Sequence, residues 1–279
     1  MKHRTWLGVY RESIFSPGKV TEDAAILDAT LAELARRGYA TETAEAKDLD
    51  RFSGRPAFVL TMAQSRRALD VLENWEKQGT RVVNSVSSIR NAYRKPLISL
   101  LAQARLPLPS SRIIPLEEVE RSVSFERPSV YWLKRGDVHA TQPEDVAKVT
   151  AREELVPALC HFRSQRIDEV LVQEHVSGEV IKFYGVGKGC YFRAFLASNG
   201  EDITAGMKPL SALAHRSAEA VGLEIYGGDC ILTKKGEILL IDLNDWPSFS
   251  RCCRSAAEEI AQYTISVCKG GVHELPSGC

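Results

Sequence analysis

Three oxygen-bearing side chains occur close together near the end of the sequence: Asp229, Asp242 and Asn244. Asp229 begins one predicted strand, and the other two lie two residues apart in the next, where alternate residues project to the same face. Two carboxylates and an amide oxygen suit Mg²⁺, particularly an Mg²⁺ shared with the phosphates of a nucleotide. The same residue types are common in turns and at helix caps, so a purely structural interpretation stays open.

Two lysines interrupt strand-like runs upstream of this oxygen set. Lys134 ends a short aromatic run, and Lys182 lies within a strand predicted over residues 180–186. Because burial of an unpaired ammonium is costly, each lysine must reach solvent or point into a polar cleft. In a cleft, its compact charge would suit phosphate oxygens. On the surface, its apolar stem would lie along neighbouring side chains with the head in water.

The elements that must position these residues fall into two groups. Strands over 5–10, 56–62 and 81–84 alternate with helices over 22–37 and 65–78, which indicates a small parallel sheet covered by helices. Further along, the patterns predict six strands over 130–134, 169–174, 180–186, 191–197, 230–233 and 238–243. They also predict helices over 90–105, 210–221 and 254–268 and an amphipathic segment over 144–163. The fold class is therefore α/β.

The composition excludes several classes of protein. The chain has 279 residues, 44% of them hydrophobic, with 36 Lys and Arg balanced by 36 Asp and Glu. This length corresponds to about two domains, and the zero net charge gives no general attraction to nucleic acid or to an anionic membrane. There is no apolar run long enough for a transmembrane helix. The seven cysteines lack metal-site spacing, so we expect free thiols and a cytoplasmic location.

The order of these features resembles the ATP-grasp superfamily over nearly the whole chain. The similarity is carried by a helix ending at Gly222, the Gly-x-Asp strand that contains Asp229, and the segment Ile241-Asp242-Leu243-Asn244 followed by Pro247. The resemblance implies an ATP-grasp fold, α+β in its two ATP-binding lobes, with a small parallel-sheet domain at the amino terminus. The corresponding division is 1–88, a central lobe over 89–172 and a carboxyl-terminal lobe over 173–279.

The resemblance also implies the cofactors and their ligands. ATP would be used with two Mg²⁺ ions, or with Mn²⁺ instead, and Asp229, Asp242 and Asn244 would be the metal ligands. The backbone from Glu174 to Val176 would bind adenine, and Glu179 would reach the ribose. The full set of implied ATP-binding residues is Arg94, Lys134, Gln173, Glu174, His175, Val176, Glu179 and Lys182.

Two features depart from the family pattern. Arg94, followed by Lys95, stands where the family usually has a phosphate-binding lysine. The glycine-rich loop whose amides normally cover the phosphates is replaced by residues 135–140, so His139 or Arg135 would supply part of that cover. His139 is one candidate catalytic residue. Arg193, placed to touch the γ-phosphate or the acyl group, is the other, although a structural role for Arg193 is also open.

Candidate substrate-binding residues come from both ends of the chain. Arg11 and Lys19 lie in the loop after the first strand, and ligands bind at the carboxyl ends of parallel strands. They would hold an anionic substrate, unless this loop is simply solvated. Ser248 and Arg251 follow Pro247, where the final loop of the family meets the phosphoryl acceptor.

The metal and phosphate residues do not distinguish ligases from kinases, because both transfer the γ-phosphoryl of ATP. Asp242, His139 and Lys182 resemble residues of inositol phosphate kinases. A neutral chain without a dense basic cluster, however, is a poor match for a heavily phosphorylated inositol, and the segment 15–19 resembles the opening of glutathione-synthetase-like and glutamate-ligase-like enzymes. We favour an ATP- and Mg²⁺-dependent ligase that joins a small-molecule acid to an amine, or to a thiol, through an acyl phosphate. The alternatives are a kinase acting on a polyol and a non-catalytic nucleotide-binding module. A homodimer is compatible with each.

Overall fold

Three four-stranded sheets form the framework of the computed structural model, which describes residues 5–125 and 129–270. Within those residues the strands are β1 (Trp6–Tyr10), β2 (Thr41–Glu45), β3 (Phe58–Thr61), β4 (Arg81–Val83), β5 (Ser111–Pro115), β6 (Tyr131–Arg135), β7 (Val146–Val149), β8 (Glu169–Glu174), β9 (Glu179–Val186), β10 (Tyr191–Leu196), β11 (Ile225–Leu232) and β12 (Ile238–Asp245). The α-helices are α1 (Val20–Arg36), α2 (Arg66–Lys77), α3 (Val86–Asn91), α4 (Arg94–Gln103), α5 (Val119–Ser122), α6 (Arg152–Ser164), α7 (Lys208–Val221) and α8 (Cys253–Cys268).

The amino-terminal sheet is parallel, as the sequence predicts. Its order is β2-β1-β3-β4, and every pairing is parallel. β3 is buried along its whole length, which is expected for a parallel strand covered on both faces. The loops after β1 and β3 therefore emerge at the same carboxyl edge of the sheet.

The other two sheets are antiparallel, with the orders β5-β8-β6-β7 and β10-β9-β11-β12. In the second sheet, Asp229 on β11 lies between Lys182 on β9 and Asp242 on β12. A register shift follows between Asp229 and Cys230. This shift is a β-bulge, a feature that often redirects side chains next to functional sites.

The hydrophobic cores join the first and last parts of the chain. Trp6 and Phe58 of the amino-terminal sheet share one core with Trp246, Phe249 and Ile260. The core of the central sheet, built around residues of β8 and α6, is separate. The predicted division at 88/89 and 172/173 stays a prediction, and β8 carries the central sheet to Glu174.

The elements differ from the sequence prediction in several segments. The strands β2 and β5 were not predicted. The helix predicted over 90–105 is two helices, α3 and α4, separated by Tyr93 in an extended conformation. The amphipathic segment over 144–163 contains the strand β7 before α6 begins at Arg152. None of the described helices has the length and apolarity needed to cross a bilayer. The six cysteines within the described ranges are unpaired, as predicted, and Cys279 lies outside those ranges.

Candidate functional site

A cleft of about 220 Å³ opens where the carboxyl edge of the amino-terminal sheet meets the loop after β6 and the β9-β11-β12 face. Seven of the residues predicted from the sequence line it: Arg11, Lys19, His139, Lys182, Asp229, Asn244 and Ser248. Asp242, Arg94 and Lys134 adjoin this group through the contacts described below. The structure therefore brings most of the predicted phosphate, metal and substrate residues together.

The three oxygen-bearing residues share one face of the carboxyl-terminal sheet. Asp229 and Asp242 are directly opposite each other on β11 and β12, and Asn244 lies two residues further along, opposite Gly227. Residues opposite each other in an antiparallel pair have Cβ atoms roughly 4.5–5.5 Å apart. At Gly228, which also borders the cleft, an added Cβ would lie 2.2 Å from the Asp242 carbonyl oxygen. Glycine is therefore required for this close approach of the two strands.

Each of the two carboxylates is paired with a cation. Arg94 Nη1 donates to Asp242 Oδ1 at 2.9 Å, and Lys182 Nζ donates to Asp229 Oδ1 at 2.8 Å. Burial alone would raise the pKa of Asp242, but Arg94, with His139 and Lys134, holds it below its usual range. Burial lowers the pKa of Lys182, yet the ion pair with Asp229 leaves it raised overall. The charged forms of Asp242 and Lys182 are therefore favoured at neutral pH.

Lys134 lies between the two antiparallel sheets. Its Nζ donates to Gln173 Oε1 at 3.1 Å and to the carbonyl oxygen of Ile241 at 3.4 Å. Burial, with a further contribution from the Arg94 charge, lowers the pKa of Lys134 to about 8. The lysine thus points into a polar interior, and the surface interpretation of this residue is wrong.

The loop that replaces the glycine-rich segment is held by ion pairs. Arg135 donates through Nε and Nη2 to Asp137, at 2.7 and 2.8 Å, and through Nη1 to Asp145 at 2.9 Å. Asp145 is fully buried and also faces His161 Nε2 at 3.0 Å. Arg135 is therefore committed to the base of the loop, which does not support the prediction that it covers phosphates.

His139 is carried by this loop to the centre of the site. Its Nδ1 lies 3.6 Å from Asp242 Oδ1, and both ring nitrogens are buried without a hydrogen-bond partner among the described residues. Burial lowers the pKa of His139 to about 4, against the opposing effect of Asp242. The ring is therefore neutral at pH 7 and offers a hydrogen bond rather than a positive charge.

The segment predicted to bind adenine is partly committed to the protein itself. The amides of Glu174 and His175 donate to the carbonyl oxygens of Ser110 and Val130, both at 2.8 Å. Of the three residues predicted to bind adenine, Glu174 to Val176, only Val176 has an amide without a backbone carbonyl acceptor among the described residues. The amides of Glu174 and His175 are therefore not free to bind adenine here, Val176 is the better candidate, and the adenine contact stays a prediction.

The neighbours of this segment occupy different environments. Gln173 is buried and donates to Ser111 Oγ at 3.0 Å. Glu179, at the start of β9, accepts a hydrogen bond from Ser198 Oγ at 2.7 Å and is exposed. Its proposed contact with the ribose stays a prediction.

Three predicted arginines do not serve as free anchors in the cleft. Arg193, on the edge strand β10, lies 3.7 Å from Asp202 and stacks near the Tyr191 ring, outside the cleft lining. Arg251 borders a separate, shallow surface hollow. Arg11 lines the cleft, but its guanidinium donates to the carbonyl oxygens of residues 62, 245 and 246. The prediction of these three side chains as substrate or γ-phosphate ligands is not supported by this geometry.

Gln64 and Asp245 are among the cleft residues that the sequence analysis missed. Gln64 follows the carboxyl end of β3, and its Nε2 donates to Asp245 Oδ1 at 2.7 Å. Gln64 could have been identified from the sequence, because it follows a parallel strand and ligands bind at the carboxyl ends of such strands. Asp245 adjoins the predicted ligand Asn244, but strand alternation placed it on the opposite face and gave no reason to select it.

The donor set fits a magnesium ion shared with phosphates better than a metal bound by protein alone. Across 5–125 and 129–270, no three His, Cys, Asp or Glu side chains are grouped to hold a metal. The chain offers two carboxylates, each paired with a cation through Oδ1, and one amide oxygen. Mg²⁺ is usually held by one or two carboxylates together with substrate phosphates and water.

Comparison with known proteins identifies the fold. No family model and no curated protein matches the sequence. A RimK domain ATP-grasp protein from Sphaerobacter thermophilus is similar in structure, with 22% identity, a TM-score of 0.71 and coverage of 93% of this chain and 98% of that one. D-alanyl-alanine synthetase A from Vibrio cholerae has 12% identity, a TM-score of 0.73 and coverage of 97% and 98%. The chain has the ATP-grasp fold, with an amino-terminal parallel sheet, as predicted.

Proposed function

We propose that this protein is an ATP- and Mg²⁺-dependent ligase that joins a small carboxylic acid to an amine. One observation carries the proposal: Asp229, Asp242 and Asn244 share a face beside Arg94, Lys134 and Lys182, next to a cleft that leads to the amino-terminal sheet. The cations suit a triphosphate and the oxygens suit its metal. The remaining cleft would hold the two molecules to be joined.

The proposed reaction has two steps. A carboxylate oxygen of the acid attacks the γ-phosphorus of ATP, and the bond to ADP breaks. The amine then attacks the acyl carbon, phosphate leaves, and the amine loses a proton. Bound Mg²⁺ would neutralise phosphate charge during the transfer.

The side chains have separate roles in this scheme. Asp229, Asp242 and Asn244 would hold the metal, while Arg94, Lys134 and Lys182 would exchange their present partners for phosphate oxygens. Such cations stabilise charge on the transferring group. The neutral His139 would donate or accept one hydrogen bond at the same place, and Val176 would bind adenine through its amide.

The structural similarities favour a ligase. Besides the two proteins above, the ligase PsnB, in a complex with a minimal precursor, Mg and ADP, is similar, with 19% identity, a TM-score of 0.66 and coverage of 93% of this chain and 98% of that one. A shared fold does not by itself establish a reaction. The proposal is supported because similar structures are of a ligase and a synthetase, and because the cleft has room beside the proposed phosphate-binding cations for molecules to be joined. A kinase acting on a hydroxyl is the second candidate, because His139, one of the residues that resemble inositol phosphate kinases, lines the cleft and lies 3.6 Å from Asp242.

A substrate panel separates the candidates. The purified protein is mixed with ATP and Mg²⁺ and with acids, amines, polyols and their pairwise combinations, and ADP release is measured. ADP release that needs both an acid and an amine supports the ligase. Release with a polyol alone would establish a kinase, and tight ATP binding without release under any condition would indicate a nucleotide-binding module.

A further inference from the structure

Asp245 has a buried oxygen atom without a partner. The residue lies at the end of β12, in the wall of the cleft, and is only 2% exposed. Its Oδ1 accepts a hydrogen bond from Gln64 Nε2, but Oδ2 has no hydrogen-bond partner among the described residues. Leaving a buried carboxylate oxygen unpaired is costly, and such atoms are rare in native proteins. A donor from outside the chain would remove this cost.

The nearest arginine does not supply that donor. Arg11 gives its Nη2 hydrogens to the backbone carbonyls of Asp245 and Trp246 and its Nε hydrogen to Met62, while Nη1 lies 3.7 Å from Asp23. Its charge is close to Asp245, but its hydrogen bonds go elsewhere. The carboxylate is therefore stabilised in part, and one acceptor site remains.

The position of Asp245 indicates which ligand would use that site. Asp245 lines the same cleft as its neighbour Asn244. Its own contacts are with Gln64 and Arg11, which come from the carboxyl edge of the amino-terminal sheet. The proposed function puts the molecules to be joined at this end of the cleft, so a group that reaches Asp245 from there would belong to the substrate.

We infer that Asp245 binds a protonated amine of the substrate and determines specificity for it. This inference rests on the proposed function. An ammonium group supplies several donors and a charge opposite to the carboxylate, which makes the hydrogen bond short and strong. The role is recognition, and it is separate from the proton loss that accompanies bond formation.

The test uses one substitution and one pair of chemical probes. Asp245→Asn keeps the shape and an oxygen for Gln64 but removes the charge. The probes are alanine and β-alanine, each compared with its N-acetyl derivative, with AMP-PNP and Mg²⁺ present. We expect the free amines, but not the acetylated compounds, to raise the melting temperature of the wild type, and we expect Asp245→Asn to lose this effect.

Turnover gives the second readout. For an amine-bearing substrate found in the panel, Asp245→Asn should raise KM by about 10- to 100-fold, with the KM for ATP within about twofold. Tyr93→Phe is the matched control, because it removes only the hydroxyl that donates to the Gln64 carbonyl and leaves the charge of Asp245 in place. Its amine KM should stay within about twofold of the wild-type value.

The outcomes separate this inference from the proposed function. An unchanged amine KM and an unchanged probe effect in folded Asp245→Asn would overturn the inference, because Asp245 would then be a structural acid, while acid- and amine-dependent ADP release would still support the ligase. If no acid and amine pair releases ADP, but the free amines stabilise only the wild type, amine recognition holds and the ligase proposal fails.

Discussion

Asp242 is the residue on which the candidate site converges. Arg94 donates to it, His139 lies beside it, and Asp229 is directly opposite on the neighbouring strand. Arg94 and His139 come from different parts of the chain, and both face the Asp242 carboxylate, whose charge therefore helps to hold them in place. A change that removes only this charge is therefore the most informative substitution at the metal site.

We expect Asp242→Asn to lower the turnover of ATP by about 10²- to 10³-fold, the loss typical when one electrostatic contact to a reacting group is removed. The rate of ADP release under saturating substrates measures this effect. Asp202→Asn is the matched control, because Asp202 pairs with Arg193 outside the cleft and should leave the rate nearly unchanged. Near-normal rates in Asp242→Asn would contradict the metal assignment.

The lowered pKa of Lys134 predicts that nucleotide binding depends on pH. Burial lowers its pKa to about 8, so the free protein loses this charge as the pH rises through that value. Phosphate oxygens favour the protonated form, so the affinity for ATP should fall above pH 8, by up to about tenfold per pH unit. Titration calorimetry between pH 7 and 9.5 measures this slope. Lys134→Met should bind ATP more weakly with a flatter profile, and an equally steep profile in that variant would exclude Lys134 as its source.

At the scale of the elements, the loop between β6 and β7 shows how the site is held without a glycine-rich sequence. The partly buried Arg135 pairs with the buried Asp145 at its base, and Thr141 Oγ1 donates to Asp145 at 2.9 Å. Burial alone would raise the pKa of Asp145, but His161, Thr141 and Arg135 hold it well below the usual range. The negative charge of Asp145 therefore stabilises the folded state at neutral pH.

Removal of that charge should destabilise the fold. Asp145→Asn leaves Arg135 with one buried partner fewer, and we expect a loss of about 3 kcal/mol in the free energy of unfolding, measured with urea. The stabilisation by Asp145 is present above the ordinary pKa of aspartate, about 4, and decreases as the pH falls below it. The difference between wild type and variant should therefore shrink in acid. Asp50→Asn, on the exposed ion pair with Arg67, should leave the free energy of unfolding nearly unchanged, because solvent screens this pair.

The elements also show which structural features could be predicted from the sequence and which could not. Alternation in β12 and the hairpin before it is local, so the shared face of Asp229, Asp242 and Asn244 was predictable. β2 (Thr41–Glu45) was missed because this edge strand is largely polar, so no buried run marks it. The contact between Gln64 and Asp245 joins residues 181 positions apart, and no local pattern indicates such a pairing.

At the scale of the whole molecule, the amino-terminal sheet packs against the carboxyl-terminal part of the chain. The two share a core that includes Trp6, Phe58, Trp246 and Ile260, and Arg11 connects them through the carbonyls of Asp245 and Trp246. The central sheet has its own core, and its Lys134 contacts the carboxyl-terminal sheet. The candidate site lies along that junction, which explains why its residues come from the entire length of the chain.

Arg11 should be important for stability rather than for substrate affinity. Arg11→Ala removes donors from three backbone carbonyls, and we expect a loss of about 3 kcal/mol in the free energy of unfolding. Arg55→Ala, whose exposed guanidinium donates to the carbonyl of Gln78, is the surface comparison and should cost about 1 kcal/mol or less. Wild-type stability in Arg11→Ala would mean that Arg11 does not hold the two parts together.

The binding of a metal–nucleotide complex at this junction is the central claim, and a crystal structure with AMP-PNP and Mn²⁺ tests it most directly. We expect an anomalous Mn²⁺ signal between Asp229, Asp242 and Asn244, with the phosphates against Arg94, Lys134 and Lys182 and the adenine beside Val176. A nucleotide bound elsewhere, or a metal signal away from all three oxygen-bearing side chains, would contradict the account.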